Sequence, residues 1–119
     1  MLEAEHIAEI ITAANAKIVI CLAQSQHRDI NEKVRAAVTG CACVTVLLEV
    51  NIAGLCNPES AELSKENFDI LDFDSSIAKM NGTSLTTGRK FSADQKAAYF
   101  HTGGTTGRPK LAQLTHGNM

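Results

Sequence analysis

An alternation of amphipathic and apolar segments limits what this chain can fold into more than any other feature. In the first segment, apolar residues recur at helical spacing, at Ile7, Ile10, Ile11 and Ala14. This spacing predicts a helix with one buried stripe, which we expect to end near Asn15. The continuous apolar run Ile18–Cys21 follows, and such runs are typical of parallel strands that are covered on both faces.

The same alternation repeats in the next segment. Asp29 and Glu32 have the spacing of an N-terminal helix cap, and Gly40 suits the position just past a helix end. A second strand is predicted over Cys43–Leu48. Helix, strand, helix and strand in this order predict an α/β fold in which a partial parallel-type sheet is flanked by helices.

The rest of the chain has a weaker pattern. The regular spacing of apolar residues fades over 51–66, and apolar positions within Phe68–Met80 predict another helix. Residues Ala97–Phe100 predict a strand, and the segment that begins at Leu111 alternates in the manner of a second one. The glycine- and threonine-rich residues between them therefore follow the end of a strand, which is where α/β folds bind their ligands.

Composition argues against several classes of function. The formal net charge of −2 provides no basic field for nucleic acid or anionic lipid, so neither is expected as a partner. No apolar run approaches the roughly 18 residues of a membrane span, and the first residues lack the basic start of a signal peptide. We therefore expect a cytoplasmic location.

The four cysteines form no C-x-x-C pair, which favours free, reduced thiols over a metal site.

The densest run of glycine and threonine, HTGGTTGRPK at 101–110, carries the clearest functional signal. Glycine allows positive φ and lets an anion approach backbone N–H groups, while hydroxyl groups add donors and a lysine adds a mobile positive charge. These groups together predict a cradle for a polyphosphate. The residues predicted to bind phosphate are Thr102, Gly103, Gly104, Thr105, Thr106, Gly107 and Lys110.

Two better-known phosphate loops do not fit the spacing. A Walker A loop has glycine directly before the lysine, whereas two residues, Arg108 and Pro109, precede Lys110 here. The dinucleotide pattern G-x-G-x-x-G also fails, because the glycines are spaced G-G-x-x-G. A plain structural turn without a ligand stays open as an alternative, since turns use the same residues.

Residues 101–118 resemble the phosphate-binding signature of the adenylate-forming, or AMP-binding, superfamily, whose pattern is aromatic-T-S-G-T-T-G-x-P-K-G-V-x-x-T-H-x-N. The upstream segment LEAEHIAEIITAANAKIVI resembles the family more loosely. The lead-in AAYFHTGGTTGRPKLAQLTH resembles bacterial acyl-CoA synthetases in particular. Three positions depart from the pattern: Gly103 replaces the usual serine, His101 replaces the aromatic residue, and Leu111 replaces a glycine.

The resemblance implies ATP and Mg²⁺ as cofactors, a small carboxylate as substrate, and coenzyme A as co-substrate of the full-length enzyme. The carboxylate would be activated as an acyl-adenylate and then transferred to a thiol. In this assignment the loop at 102–110 holds the departing phosphates, and Thr102 is a candidate ligand of Mg²⁺. No residue is assigned as a catalytic acid or base. His116 is expected to begin the next helix, since Thr115 before it is a natural cap.

The resemblance also implies that residues 1–119 are part of the large N-terminal domain of such an enzyme and end just after the phosphate-binding loop. We expect the isolated chain to be inactive, and to associate at high concentration because strand edges and apolar helix faces are left open. The remainder of the enzyme is a candidate partner. A small, non-catalytic nucleotide- or phosphate-binding module, or an inactive remnant, is the alternative.

Overall fold

The chain divides into two compact units, Met1–Met80 and Asn81–Met119. The structure, a computed structural model, describes residues 3–25, 29–53, 67–80, 82–84, 87–102 and 110–119. The first unit contains α1 (Ala4–Ala14), β1 (Ile18–Leu22), α2 (Ile30–Thr39), β2 (Val46–Val50), β3 (Asp69–Asp72) and α3 (Phe73–Ala78). The second contains β4 (Lys96–Thr102), β5 (Lys110–Thr115) and a 3-10 helix (His116–Asn118).

The first unit is built on a three-stranded parallel sheet in the order β1-β2-β3. Ile18 lies opposite Val46 at one end of the β1–β2 pair, and Val46 lies opposite Asp69 in the β2–β3 pair. Helix α1 packs on α2, α2 contacts β1, and α3 contacts β2 and β3. The predicted parallel sheet flanked by helices is therefore confirmed.

Helix α1 ends where the sequence predicts. Asn15 takes the left-handed conformation, with φ of 50°, and its backbone N–H donates to Ile11 and Thr12 carbonyls. Asparagine tolerates this conformation better than most residues, so it can close a helix in the way that glycine often does. Ile11, on the predicted apolar stripe, is buried.

Helix α2 has the predicted bounds but a different N-terminal contact. It begins after Asp29 and ends before Gly40, whose N–H donates to the Ala37 carbonyl at 3.3 Å. The Asp29 side chain makes no capping hydrogen bond to this helix. Its carboxylate lies instead 3.0 Å from the ammonium of Lys33, one turn further along. The position was predicted correctly, and an exposed ion pair replaces the expected cap.

The core lies between the two helices and one face of the sheet. It consists of Ile11, Val34, Ala37, Val38, Cys41, Val44 and Leu47. Leu47, on the central strand β2, is fully buried. Because successive side chains of a strand point to opposite faces, the neighbours of Leu47 face away from the helices. On that opposite face, Ile18 and Ile20 of β1 are 55% and 56% exposed.

Two predicted elements differ from the structure. The helix predicted over Phe68–Met80 is wrong at its start, because Asp69–Asp72 is a strand that pairs with β2 and the helix covers only Phe73–Ala78. The Asp72 carboxylate accepts the N–H of Ser75 at 2.8 Å and so begins that short helix. The predicted strand over Cys43–Leu48 lies later than expected, at Val46–Val50.

The second unit is an antiparallel hairpin followed by a short helical turn. Tyr99 lies opposite Gln113 in the β4–β5 pair. After β5, the His116 N–H donates to the Gln95 carbonyl at 3.0 Å, and the Gly117 N–H donates to the Ala93 carbonyl at 2.8 Å. These bonds tie the end of the described chain to the turn that precedes β4.

Thr115 starts a helical turn, as predicted, although the turn is a three-residue 3-10 helix. The Asn118 side-chain oxygen accepts both the backbone N–H of Thr115, at 3.1 Å, and its hydroxyl, at 2.9 Å. The His116 ring lies 4.9 Å from the ring of Phe91, which is a packing contact. Among the helices that the structure describes, none is long and apolar enough to cross a membrane.

Candidate functional site

The glycine- and threonine-rich segment is held at both ends by the β4–β5 hairpin. Thr102, the last residue of β4, lies opposite Lys110, the first residue of β5. The Thr102 hydroxyl donates to the Lys110 carbonyl oxygen at 3.2 Å, and both residues are exposed. The other predicted phosphate-binding residues lie outside the described ranges: Gly103, Gly104, Thr105, Thr106 and Gly107.

The hairpin forms because both of its strands carry suitable residues. Strand β4, KAAYFHT, contains two aromatic residues and a threonine, and β5, KLAQLT, alternates apolar and polar residues. Seven residues, 103–109, connect the strands. Hairpins usually reverse direction with about two to five residues, so this connection is longer than chain reversal requires.

The two described site residues present complementary chemistry. The Thr102 hydroxyl uses its proton in the bond to Lys110, so the lone pairs of its oxygen are directed elsewhere and suit a hard cation such as Mg²⁺. The Lys110 ammonium adds a positive charge at the start of β5. The hairpin thus brings the predicted Mg²⁺ ligand, Thr102, and the predicted phosphate-binding residue, Lys110, to the two ends of one loop.

A buried polar cluster in the first unit was missed by sequence reasoning. Glu49, on the same face of β2 as Leu47, is only 6% exposed. Its Oε1 accepts hydrogen bonds from Arg35 Nη2 at 2.6 Å, Arg35 Nε at 2.9 Å and Asn31 Nδ2 at 2.7 Å. Two signals could have revealed it: a single acid inside the apolar strand VLLEV, and two polar residues four positions apart on the preceding helix.

The cluster joins three elements at the carboxyl end of the sheet. Asn31 is 2% exposed, and its Nδ2 also donates to the Leu22 carbonyl at 2.9 Å, so one side chain of α2 reaches both β1 and β2. The Glu49 carboxylate is surrounded by donors and shielded from solvent. Such an acid is not available to a substrate, so we interpret the cluster as a support for strand placement.

Cys21 lies beside this cluster and should be an unreactive thiol. Burial, and secondly the negative charge of Glu49, raise the pKa of Cys21 from 9.0 to about 11. Only the thiolate is nucleophilic, so at pH 8 its reactive fraction falls about a hundredfold. We expect iodoacetamide to alkylate Cys21 about a hundredfold more slowly in the folded chain than in urea, as measured by peptide mass spectrometry. Equal rates in both states would contradict the shift.

Within the described ranges, no three His, Cys, Asp or Glu side chains converge in a way that could hold a metal ion. Cys21, Cys41 and Cys43 are free thiols. The hairpin loop is the site that the sequence predicts.

Comparison with known protein families shows the family to which the chain belongs. The model of the AMP-binding enzyme family matches residues 1–119, the whole chain. This chain belongs to the AMP-binding enzyme family. The family that the sequence resembles is thus confirmed, whereas the role of each loop residue stays a prediction.

A curated relative supports the same family. The AMP-binding chain is 29% identical over 115 residues to marinolic acid–CoA ligase of Pseudoalteromonas sp. (strain SANK 73390). The match covers 97% of this chain but only 16% of the ligase. No solved structure matches the chain.

Proposed function

We propose that this AMP-binding chain supplies the ATP phosphate-binding loop of an acid–thiol ligase of the acyl-CoA synthetase type. The observation that carries the proposal is the pairing of Thr102 with Lys110, which holds the two ends of the T-G-G-T-T-G-R-P-K segment together. Membership of the family and the similarity to a CoA ligase support the same chemistry.

The proposed reaction solves the low reactivity of a carboxylate. The carboxylate oxygen attacks the α-phosphate of ATP, forming an acyl-adenylate and releasing pyrophosphate. A thiol, for which coenzyme A is the proposed donor, then attacks the acyl carbon and releases AMP. The first step needs the growing negative charge on the leaving pyrophosphate to be stabilised, which is an electrostatic task for fixed donors and cations.

The loop residues suit that task. The backbone N–H groups of Gly103, Gly104 and Gly107 would bind phosphate oxygens at close approach. The hydroxyls of Thr105 and Thr106 would add donors, although Gly103 contributes no hydroxyl where related loops have serine. Lys110 would supply a mobile positive charge, and Thr102 would ligate Mg²⁺, which neutralises the phosphates when bound. None of these roles requires a proton transfer by the chain.

The proposal places the complete reaction in a longer protein. The chain spans 16% of the ligase that it resembles, so substrate and coenzyme A recognition are assigned to polypeptide beyond these residues. The chain alone is then expected to bind phosphate weakly and to catalyse nothing. The rest of the enzyme is its proposed partner.

Binding is the direct test of this proposal. Magnesium pyrophosphate, titrated into the ¹⁵N-labelled chain, should shift the amide signals of 102–110 with a Kd on the order of 1 mM. Lys110→Ala should raise that Kd about fivefold, which corresponds to roughly 1 kcal/mol. Lys90→Ala removes an exposed lysine of the same unit and should leave the Kd unchanged. Equal effects of the two substitutions would indicate non-specific attraction and would refute the proposed loop.

An activity assay separates the ligase fragment from a self-sufficient enzyme. We expect the chain alone to show no carboxylate-dependent exchange of labelled pyrophosphate into ATP. Exchange above the background of a Lys110→Ala sample would mean that the chain holds a complete active site. Binding without exchange agrees with the proposal, and exchange would overturn the division between this chain and the remainder.

A further inference from the structure

The residues T-H-G-N at 115–118, which end the phosphate-binding signature, lie at the far end of the β4–β5 hairpin from the predicted loop. Thr102 lies opposite Lys110 at the loop end, and Lys96 lies opposite Thr115 at the open end. Strand β4 has seven residues, so at roughly 3.4 Å per residue the two ends are about 20 Å apart. This T-H-G-N turn is therefore too far away to contact a phosphate that Thr102 and Lys110 hold, and its contribution to binding must act through the hairpin.

Two backbone hydrogen bonds join the T-H-G-N turn to the turn that precedes β4. The His116 N–H donates to the Gln95 carbonyl at 3.0 Å, and the Gly117 N–H donates to the Ala93 carbonyl at 2.8 Å. The approach is close, because a Cβ atom on Gly117 would lie 3.1 Å from the Ala93 carbonyl oxygen. We call these two hydrogen bonds the clamp, and they close the open end of the hairpin.

An amide side chain holds each of the two turns in shape. In the T-H-G-N turn, Asn118 Oδ1 accepts the Thr115 N–H at 3.1 Å and the Thr115 hydroxyl at 2.9 Å. In the turn before β4, Gln95 Oε1 accepts the Ser92 N–H at 3.0 Å, and the Gln95 N–H donates to the Ser92 carbonyl at 3.1 Å. Asn118 and Gln95 thus fix the backbone on the two sides of the clamp.

The hairpin has two features that make a clamp at its open end important. Its strands are connected by seven residues, 103–109, and closing a longer loop costs more conformational entropy than closing a short turn. The pairing register also shifts between Lys96 and Ala98, and such an irregularity interrupts the ladder of hydrogen bonds. Because the clamp closes the strands beyond this irregularity, it stabilises the paired hairpin as a whole.

We propose that Asn118 is a positioning residue for the phosphate-binding loop, which through the clamp raises the fraction of the chain in which Thr102 and Lys110 are paired. The inference rests on the proposed function, since it requires that the loop bind magnesium pyrophosphate. The apparent Kd then equals the Kd of the paired form divided by its populated fraction. The coupling is reciprocal, so bound pyrophosphate stabilises the clamp.

Titration of ¹⁵N-labelled variants with magnesium pyrophosphate tests the proposal. Asn118→Leu is similar in size but has no acceptor for the two hydrogen bonds from Thr115, and it should raise the Kd about fivefold. Asn118→Asp keeps the acceptor oxygen and should stay within about twofold of the wild-type Kd. Its added charge is about 20 Å from Thr102, well beyond the Debye length of about 8 Å at physiological ionic strength.

Hydrogen exchange measures the coupling from the other end of the hairpin. Saturating magnesium pyrophosphate should slow exchange of the His116 and Gly117 amides in the wild-type chain at least about threefold, although neither residue contacts the ligand. The same amides should exchange faster in unliganded Asn118→Leu than in unliganded Asn118→Asp. A residue with a merely structural role would not transmit ligand binding to these amides.

The outcomes separate this inference from the proposed function. If the wild-type chain binds no magnesium pyrophosphate, the proposed function fails and the inference fails with it. If the wild-type chain binds but Asn118→Leu has the same Kd, or Asn118→Asp is weakened equally, the inference alone is wrong. Wild-type amide signals over 4–50 show that the first unit keeps its fold. Gln95→Leu, with Gln95→Glu as its rescue, repeats the comparison from the other side of the clamp if Asn118→Leu does not fold.

Discussion

Arg35→Met is expected to lower the free energy of unfolding by about 3–5 kcal/mol, because it leaves the Glu49 carboxylate buried without its cationic partner. Glu49 is 6% exposed and receives two hydrogen bonds from Arg35, at 2.6 and 2.9 Å. After the substitution only Asn31 still donates to Oε1. Urea unfolding at one fixed protein concentration measures the change.

Two further variants separate charge from packing. Lys33→Met removes a cation two positions away on the same helix, where the partners Glu3 and Asp29 are largely exposed. It should cost no more than about 1 kcal/mol. The double variant Arg35→Met with Glu49→Leu removes both buried charges and should be more stable than Arg35→Met alone. If Arg35→Met costs no more than Lys33→Met, the buried pair does not stabilise the fold.

Local sequence patterns were sufficient to predict the elements whose own residues indicate which side is buried and where the element ends. Helix α1 has its apolar stripe and ends at Asn15, and β1 is a continuous apolar run, so neither needs information from the rest of the chain. The start of β3 is different. Its apolar residues Ile70 and Leu71 fit a helix as well as a strand, and the choice is made by pairing with β2, which lies about twenty residues away in sequence.

The buried cluster could not be predicted for a related reason. A single glutamate in an apolar strand is ambiguous, since it can mark a strand end, an exposed edge or a buried ion pair. Only the placement of α2 across β1 and β2 brings Asn31 and Arg35 to Glu49. By contrast, the hairpin that holds the candidate site follows from the strand patterns on either side of the loop, and the structure pairs Thr102 with Lys110 at its two ends.

Leu47→Ala is expected to cost about 2–5 kcal/mol of unfolding free energy, because it opens a cavity at a fully buried position on the central strand β2. Leu47 packs between the sheet and both long helices, where Ile11 and Val38 belong to the same cluster. Leu48→Ala is the matched control, since it removes the same atoms from the next residue, which is half-buried on the opposite face. It should cost less, about 1–2 kcal/mol, because part of the Leu48 side chain stays in contact with water and its removal leaves no closed cavity. Urea unfolding of both variants measures the two losses of unfolding free energy. Equal losses would mean that the open face of the sheet is covered in solution, and that Leu48 lies in a second core.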